Sequence, residues 1–185
     1  MSTAFHRHMT QRVASDPNWR VNCTAYCGAS LVNDATLGGL FGVTGENVRR
    51  FSDEPTPDTG SPGLNIKQII NVAYAKYRVN IADRTGNNWD TLMHELARGR
   101  RILAQIEYAS LGNYRLGQPG GDFPHAICLV LATPNAIICS DPLYSKSQSI
   151  PKSVVSDAMS DFAQTTGHAR GYLWWAMTRP IPRIA

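Results

Sequence analysis

The sequence predicts an α+β domain, with helices gathered in its first half and mostly antiparallel strands in its second. Two observations carry that expectation. Up to Gly99 apolar residues recur at the three-to-four spacing of amphipathic helices, and beyond Gly99 the pattern becomes extended, in short apolar runs bounded by turn residues. A third observation bounds it: 185 residues suffice for one substantial core, with no internal repeat and no second self-contained pattern, so residues 1–185 read as a single domain.

Taken in order, "CGASLVNDATLGG" gives a stripe of Leu31, Val32 and Ala35 closed by Gly38-Gly39, which places Cys27 in the first turn of a helix. The Pro-, Gly- and Ser-rich stretch from Phe51 to Gly63 reads as a surface loop. "LNIKQIINVAYAKY" sets Ile66, Ile69, Ile70, Ala73 and Tyr77 on one helical face. Trp89, Leu92, Met93 and Leu96 mark another helix, with Asn88 as N-cap and Gly99 as stop. Strands follow at Arg101 to Tyr108, His125 to Ala132 and Ala136 to Asp141, then a helix on Val154, Val155, Ala158, Met159 and Phe162, then the strand "GYLWWAMTR". Trp174 and Trp175 alternate faces there, so at least one belongs to the core. The loop from Ala109 to Pro124, with Tyr114 and Gly120-Gly121, is long enough to cover a cleft.

Hydrophobic residues make up 43% of the chain and charged residues 17%, which argues against disorder, and no apolar run is long enough for a membrane span. The polar N-terminus lacks the apolar stretch of a secretion signal. A net charge of +4 favours an anionic partner, whether nucleic acid, lipid headgroups or anionic cell-wall polymers. Arg49-Arg50 and Arg98 to Arg101 sit beside no aromatic stacking motif, so they read as solvated surface and no specific nucleic acid is expected. Four cysteines without a signal read as free thiols. No metal site is expected: Cys23 and Cys27 lack a second matching pair, His94 lacks the second histidine of a zinc-protease helix, and His6 and His8 lie near a terminus.

Cysteine chemistry is then the question. In the first turn of a helix the unpaired N–H groups and the helix dipole favour a thiolate, and Gly28 would leave the approach to a Cys27 sulfur open. A nucleophilic thiol also needs an imidazole to carry its proton and a group to orient that imidazole. His125 begins one strand and Asp141 ends the next, so the pair fits those roles. Cys23 is the rival nucleophile, set below Cys27 because Thr-Ala rather than Gly follows it. Cys128 and Cys139 read as core, and His168 as a turn residue.

"CGAS" at Cys27 to Ser30, "PHAICLVLATPNAIICSDPLY" at Pro124 to Tyr144, and the order Cys, His, Asp resemble the papain-like peptidases of the bacteriocin-processing type, the C39-like family. The resemblance implies a papain-like cysteine peptidase fold, with N-terminal helices packed on a mostly antiparallel sheet. It implies a thiol peptidase with catalytic Cys27, His125 and Asp141 and no cofactor. The family usually carries an oxyanion-holding glutamine six residues before the nucleophile. Val21 stands there, and Asn22 is the nearest amide, which would act with the Cys27 backbone N–H. With no fused wall-binding or transporter module, and with 14 arginines against 4 lysines, the chain fits a phage product best. The expected substrate is a peptide or isopeptide bond in a peptidoglycan stem, the expected partners are phage structural proteins, and the expected location is the host cytoplasm or a virion. A virion structural or tail adaptor protein that keeps the fold without turnover is the alternative.

Strand parity adds a geometric expectation. Direct opposition of His125 and Asp141 requires pairs whose numbers add to 266 and a three-residue loop, Ala132-Thr133-Pro134. A two-residue Pro134-Asn135 turn gives 269 and sends the two side chains to opposite faces unless a bulge restores the register. An odd loop or a bulge is therefore expected.

Overall fold

The structure is a computed structural model that describes residues 22–36, 42–52, 63–115, 123–144 and 147–178. The expectations for Gly38-Gly39, for most of the loop from Phe51 to Gly63, for Gly120-Gly121, for Val21 and for His6 and His8 lie outside these residues. In chain order come α1 (Cys23–Ala35), α2 (Gly45–Arg50), α3 (Ile66–Tyr77), β1 (Ile81–Asp83), α4 (Trp89–Ala97) and β2 (Ile102–Glu107). A 3₁₀ segment (Tyr108–Tyr114), β3 (Pro124–Ala132), β4 (Ala136–Ser140), β5 (Gln148–Pro151), α5 (Lys152–Thr165) and β6 (Trp175–Thr178) complete it. All strand pairs are antiparallel, in the order β1-β6-β2-β3-β4-β5.

Side-chain alternation divides the sheet between two cores. Leu103, Ala126, Cys128 and Ala176 face α1, α2 and α3, and Ile102, Ala104, Ile106, Ile127, Leu129, Trp175 and Met177 face α4 and α5. Three of the four residues on the α1 side are small, which lets α1 lie close against β2, β3 and β6. Twelve of its thirteen residues are buried, from Cys23 to Asp34. Gly28 faces α3, and a Cβ there would sit 2.7 Å from the Ile69 side chain. Its small size serves helix packing rather than access to a sulfur. Gly45 opens α2 against the ring of Tyr26, which leaves no room for a Cβ.

Capping explains where the other helices start. Thr44 with Asn47, and Asn65 with Gln68, form reciprocal capping boxes at α2 and α3, and Asn88 accepts from the Thr91 N–H at α4. Three features depart from the sequence reading. The first helix begins at Cys23, which puts Cys27 in its second turn rather than its first, and α2, β1 and β5 appear where no element was expected. The seven residues that follow β2 form 3₁₀ turns broken at Gly112. Helices cover both faces of the sheet, because α4 joins α5 opposite α1. Of the tryptophan pair, Trp175 is fully buried and Trp174 partly so.

Candidate active site

The hairpin of β3 and β4 decides which side chains meet. Thr133 and Ala136 close a two-residue Pro134-Asn135 turn, the Thr133 N–H donating to the Ala136 carbonyl at 2.8 Å. Beside the turn, Leu131 pairs with Ile138 and Ala132 with Ile137, numbers that add to 269. Past an irregularity between Leu129 and Leu131 the pairs are Leu129 with Cys139 and Cys128 with Ser140, which add to 268. Val130 is the extra residue of this bulge. The three-residue loop does not form, and the bulge restores the parity in its place. Continued by one pair, the register sets Asp141 opposite Ile127, so His125 lies two residues along on the same face. His125 Nε2 and Asp141 Oδ1 are 2.7 Å apart, both side chains buried.

The bulge is itself held. Arg101, buried at the start of β2, donates from Nη1 to the Val130 carbonyl at 2.7 Å and sets Nε 3.5 Å from Asp34 Oδ2 near the end of α1. Asp141 Oδ1 also accepts from the Leu143 N–H at 2.9 Å, which fixes the carboxylate as the chain leaves β4. The His125 ring packs edge-on against Tyr108, 5.1 Å between centroids, and Tyr108 stacks on Phe123. Tyr108 shares its hydroxyl with Tyr144 at 2.7 Å, and burial followed by that contact pushes its phenol up.

Cys23 is the thiol that meets His125. As the first residue of α1 it follows the N-cap Asn22, whose carbonyl accepts from the Tyr26 N–H at 3.0 Å. Its thiol engages the His125 imidazole and the Ala126 backbone amide. Burial alone would raise its pKa, but the charge of His125, its hydrogen bond, the Ala126 amide and Thr24 together hold it below the ordinary 9.0. On the imidazole the balance falls the same way: burial disfavours the cation, yet Asp141 and then Cys23 outweigh it and raise His125 from 6.5 to about 10. These opposed shifts describe a thiolate–imidazolium pair. Asp141 occupies Nε2, so Nδ1 is the nitrogen left for exchange with sulfur.

Cys27 must be corrected. One turn further along α1, it has no exposure, whereas Cys23 keeps 9%. Its Sγ donates to the Ala126 carbonyl at 3.3 Å, and Cys128 Sγ lies 3.6 Å from the Cys27 carbonyl. Burial, then the contact with Cys128, raises its pKa well above 9.0, so it stays a protonated packing residue. The Cys27 backbone N–H lies inside the helical ladder and is not available to an oxyanion. Asn22 is buried directly beside Cys23. Cys128 and Cys139 are buried free thiols, and His168 stacks on Tyr172 away from Asp141. Among the described residues no group of three or more His, Cys, Asp and Glu side chains could hold a metal ion.

No protein-family model matches the sequence, and no curated protein matches it. Among solved structures, a protein described as a candidate C39-like peptidase from Bacillus anthracis superposes with a TM-score of 0.66 at 13% identity, over 97% of each chain. The fold is that of the papain-like cysteine peptidases. The Pseudomonas avirulence protein AvrPphB also matches, over 88% of this chain and 92% of its own, at 12% identity and a TM-score of 0.39 that is too low to weigh. Within the papain-like frame, sequence reasoning passed over Thr24, Gln105, Tyr108 and Arg101. Thr24 and Gln105 touch each other beside Cys23 at 3.2 Å. Only the neighbour relation of Thr24 to a cysteine carried any signal in the sequence, and the other three reach the site by pairing across the sheet.

Proposed function

We propose that this chain is a thiol peptidase whose nucleophile is Cys23, with His125 as its proton carrier and Asp141 as the group that orients the imidazole. The observation that supports it is the thiol at the first residue of a buried helix, held below its usual pKa by an imidazole whose other nitrogen is 2.7 Å from a carboxylate. The Cys23 thiolate attacks the peptide carbonyl, and the carbonyl electron pair moves onto oxygen. The oxyanion is held by the Cys23 backbone N–H, which has no acceptor among the described residues, with the Asn22 side chain as second donor. His125 then gives its proton to the departing amine as the C–N bond breaks. Water attacks the resulting thioester, losing its proton to His125, and the acid product leaves as Cys23 is regenerated. These side chains, the Cys23 backbone N–H and water account for every step, so no cofactor is called for.

The substrate class in this reading is a peptide or isopeptide bond, in keeping with the C39-like description of the Bacillus structure. A net charge of +4 favours an anionic wall polymer, and the excess of arginine over lysine suits a phage of a GC-rich host, so peptidoglycan stem peptides are the substrate we assign. Digestion of purified peptidoglycan by wild type, Cys23→Ala and Cys27→Ala, with mass analysis of the fragments, tests it. New amine termini released by wild type and Cys27→Ala but not by Cys23→Ala are expected. Release by Cys23→Ala would overturn the assignment. Uniform slow alkylation of all four thiols, with no release by wild type, would instead indicate a virion structural protein that keeps the fold without turnover.

A further inference from the structure

We propose that Thr24 and Gln105 form a second arm of the catalytic thiol: Gln105 donates to the Thr24 hydroxyl, which turns the hydroxyl's own proton toward the Cys23 sulfur. The inference rests on the reading of Cys23 as nucleophile and concerns how its thiolate is held. Gln105 lies on β2 opposite Ala126, in the row of the sheet that runs under the start of α1. Its backbone N–H is committed to the Trp174 carbonyl at 3.0 Å, which fixes the residue in the sheet. Its side chain reaches across to α1, where Nε2 is 3.2 Å from Thr24 Oγ1.

Thr24 is buried, and among the described residues its hydroxyl has two polar side-chain neighbours: Gln105 Nε2 at 3.2 Å and Cys23 Sγ at 4.0 Å. A hydroxyl has a single proton to give, whereas an amide nitrogen can only donate. With Gln105 donating, the sulfur is the acceptor that remains, and the contact from Thr24 acts to lower the thiol's pKa. The other titratable groups around the sulfur are His125 from β3, with Asp141 and Tyr108 behind it, and Cys27 on the same helix. Gln105 brings a neutral donor from a third element, so it steadies negative charge on sulfur without competing for the His125 proton. Thr24 touches the reacting atom, and Gln105 is a positioning residue that acts through it.

The experiment is the pH dependence of Cys23 alkylation by iodoacetamide in the full chain, with the modified cysteine located by mass spectrometry. Thr24→Val and Gln105→Met keep the size of each side chain while removing its polar group. Each is expected to move the thiolate midpoint upward and to slow labelling below it by about threefold to tenfold. The double variant is expected to go no further than Thr24→Val alone, and Thr24→Ser to restore the wild-type midpoint. Additive shifts in the double variant would overturn the relay, as would a Thr24→Val midpoint equal to that of wild type while His125→Ala still shifts it. If Cys23 labels no faster than the other thiols and ignores His125→Ala, the nucleophile assignment itself fails, and the relay with it.

Discussion

At the scale of the residue, two cysteines one helical turn apart meet opposite environments. Cys23 faces an imidazole and Cys27 faces a carbonyl and a third thiol. Cys23→Ala and His125→Ala should each abolish peptide release while leaving cooperative unfolding in place. Cys27→Ala should retain turnover and cost about 1–2 kcal/mol, the effect of a small cavity, read from urea unfolding. Asp141→Asn should leave residual activity, since nucleophile and base survive with a less well oriented ring. The pH profile follows from the same pair. Activity should fall on the alkaline side as His125 loses its proton near pH 10 and on the acid side below the lowered Cys23 pKa, as read from kcat/KM across pH. A single acid limb near 6.5 with no alkaline limb would show that the imidazolium is not held.

Among the elements, α1 shows why the sequence set the helix start at Cys27 rather than Cys23. A helix buried on nearly every side carries no amphipathic stripe from which to read its start. The clue was chemical: Asn22 is a favoured N-cap residue type, and it precedes Cys23, not Cys27. Helices α3 and α4 were legible because one face of each meets solvent and both begin with an asparagine cap. β1 and β5, of three and four residues, are too short to display a period of two. The pairing of His125 with Asp141 was legible as two strand-end residues in the right order, but the bulge that permits it was present only as a requirement of parity. Gly45→Ala should cost about 1–3 kcal/mol by driving a methyl into the Tyr26 ring. Asn65→Ala should cost about 1 kcal/mol through loss of the α3 cap. Urea midpoints at unchanged slope would check both.

For the molecule as a whole, the site is a junction of two cores. Cys23 belongs to the cluster beneath α1, α2 and α3, and His125 packs against Tyr108, a member of the cluster beneath α4 and α5. Stability and protonation are therefore linked. His125 has a folded pKa above its unfolded 6.5, so its contribution is fully present below pH 6.5 and is lost as pH rises through about 10. Cys23, held below 9.0, contributes in the opposite sense: fully above pH 9 and progressively less as pH falls. Below pH 9 the two contributions oppose each other, so global stability should decline in wild type chiefly between pH 9 and pH 10, and not in His125→Gln, as measured by urea unfolding at each pH. Equal slopes in the two proteins would exclude the linkage.

The bulge at Val130 has an evolutionary corollary. Because one supernumerary residue sets whether the imidazole and carboxylate share a face, the stretch between positions 125 and 141 cannot drift freely in length. A residue gained or lost within either strand, between the bulge and the pair, turns every later side chain to the other face and parts the two groups, whereas one gained at the tip is taken up by a longer turn and leaves them together. The trace such a filter leaves in a lineage is a hairpin whose tip varies in length while its two strands do not, with the guanidinium of Arg101 against the kink.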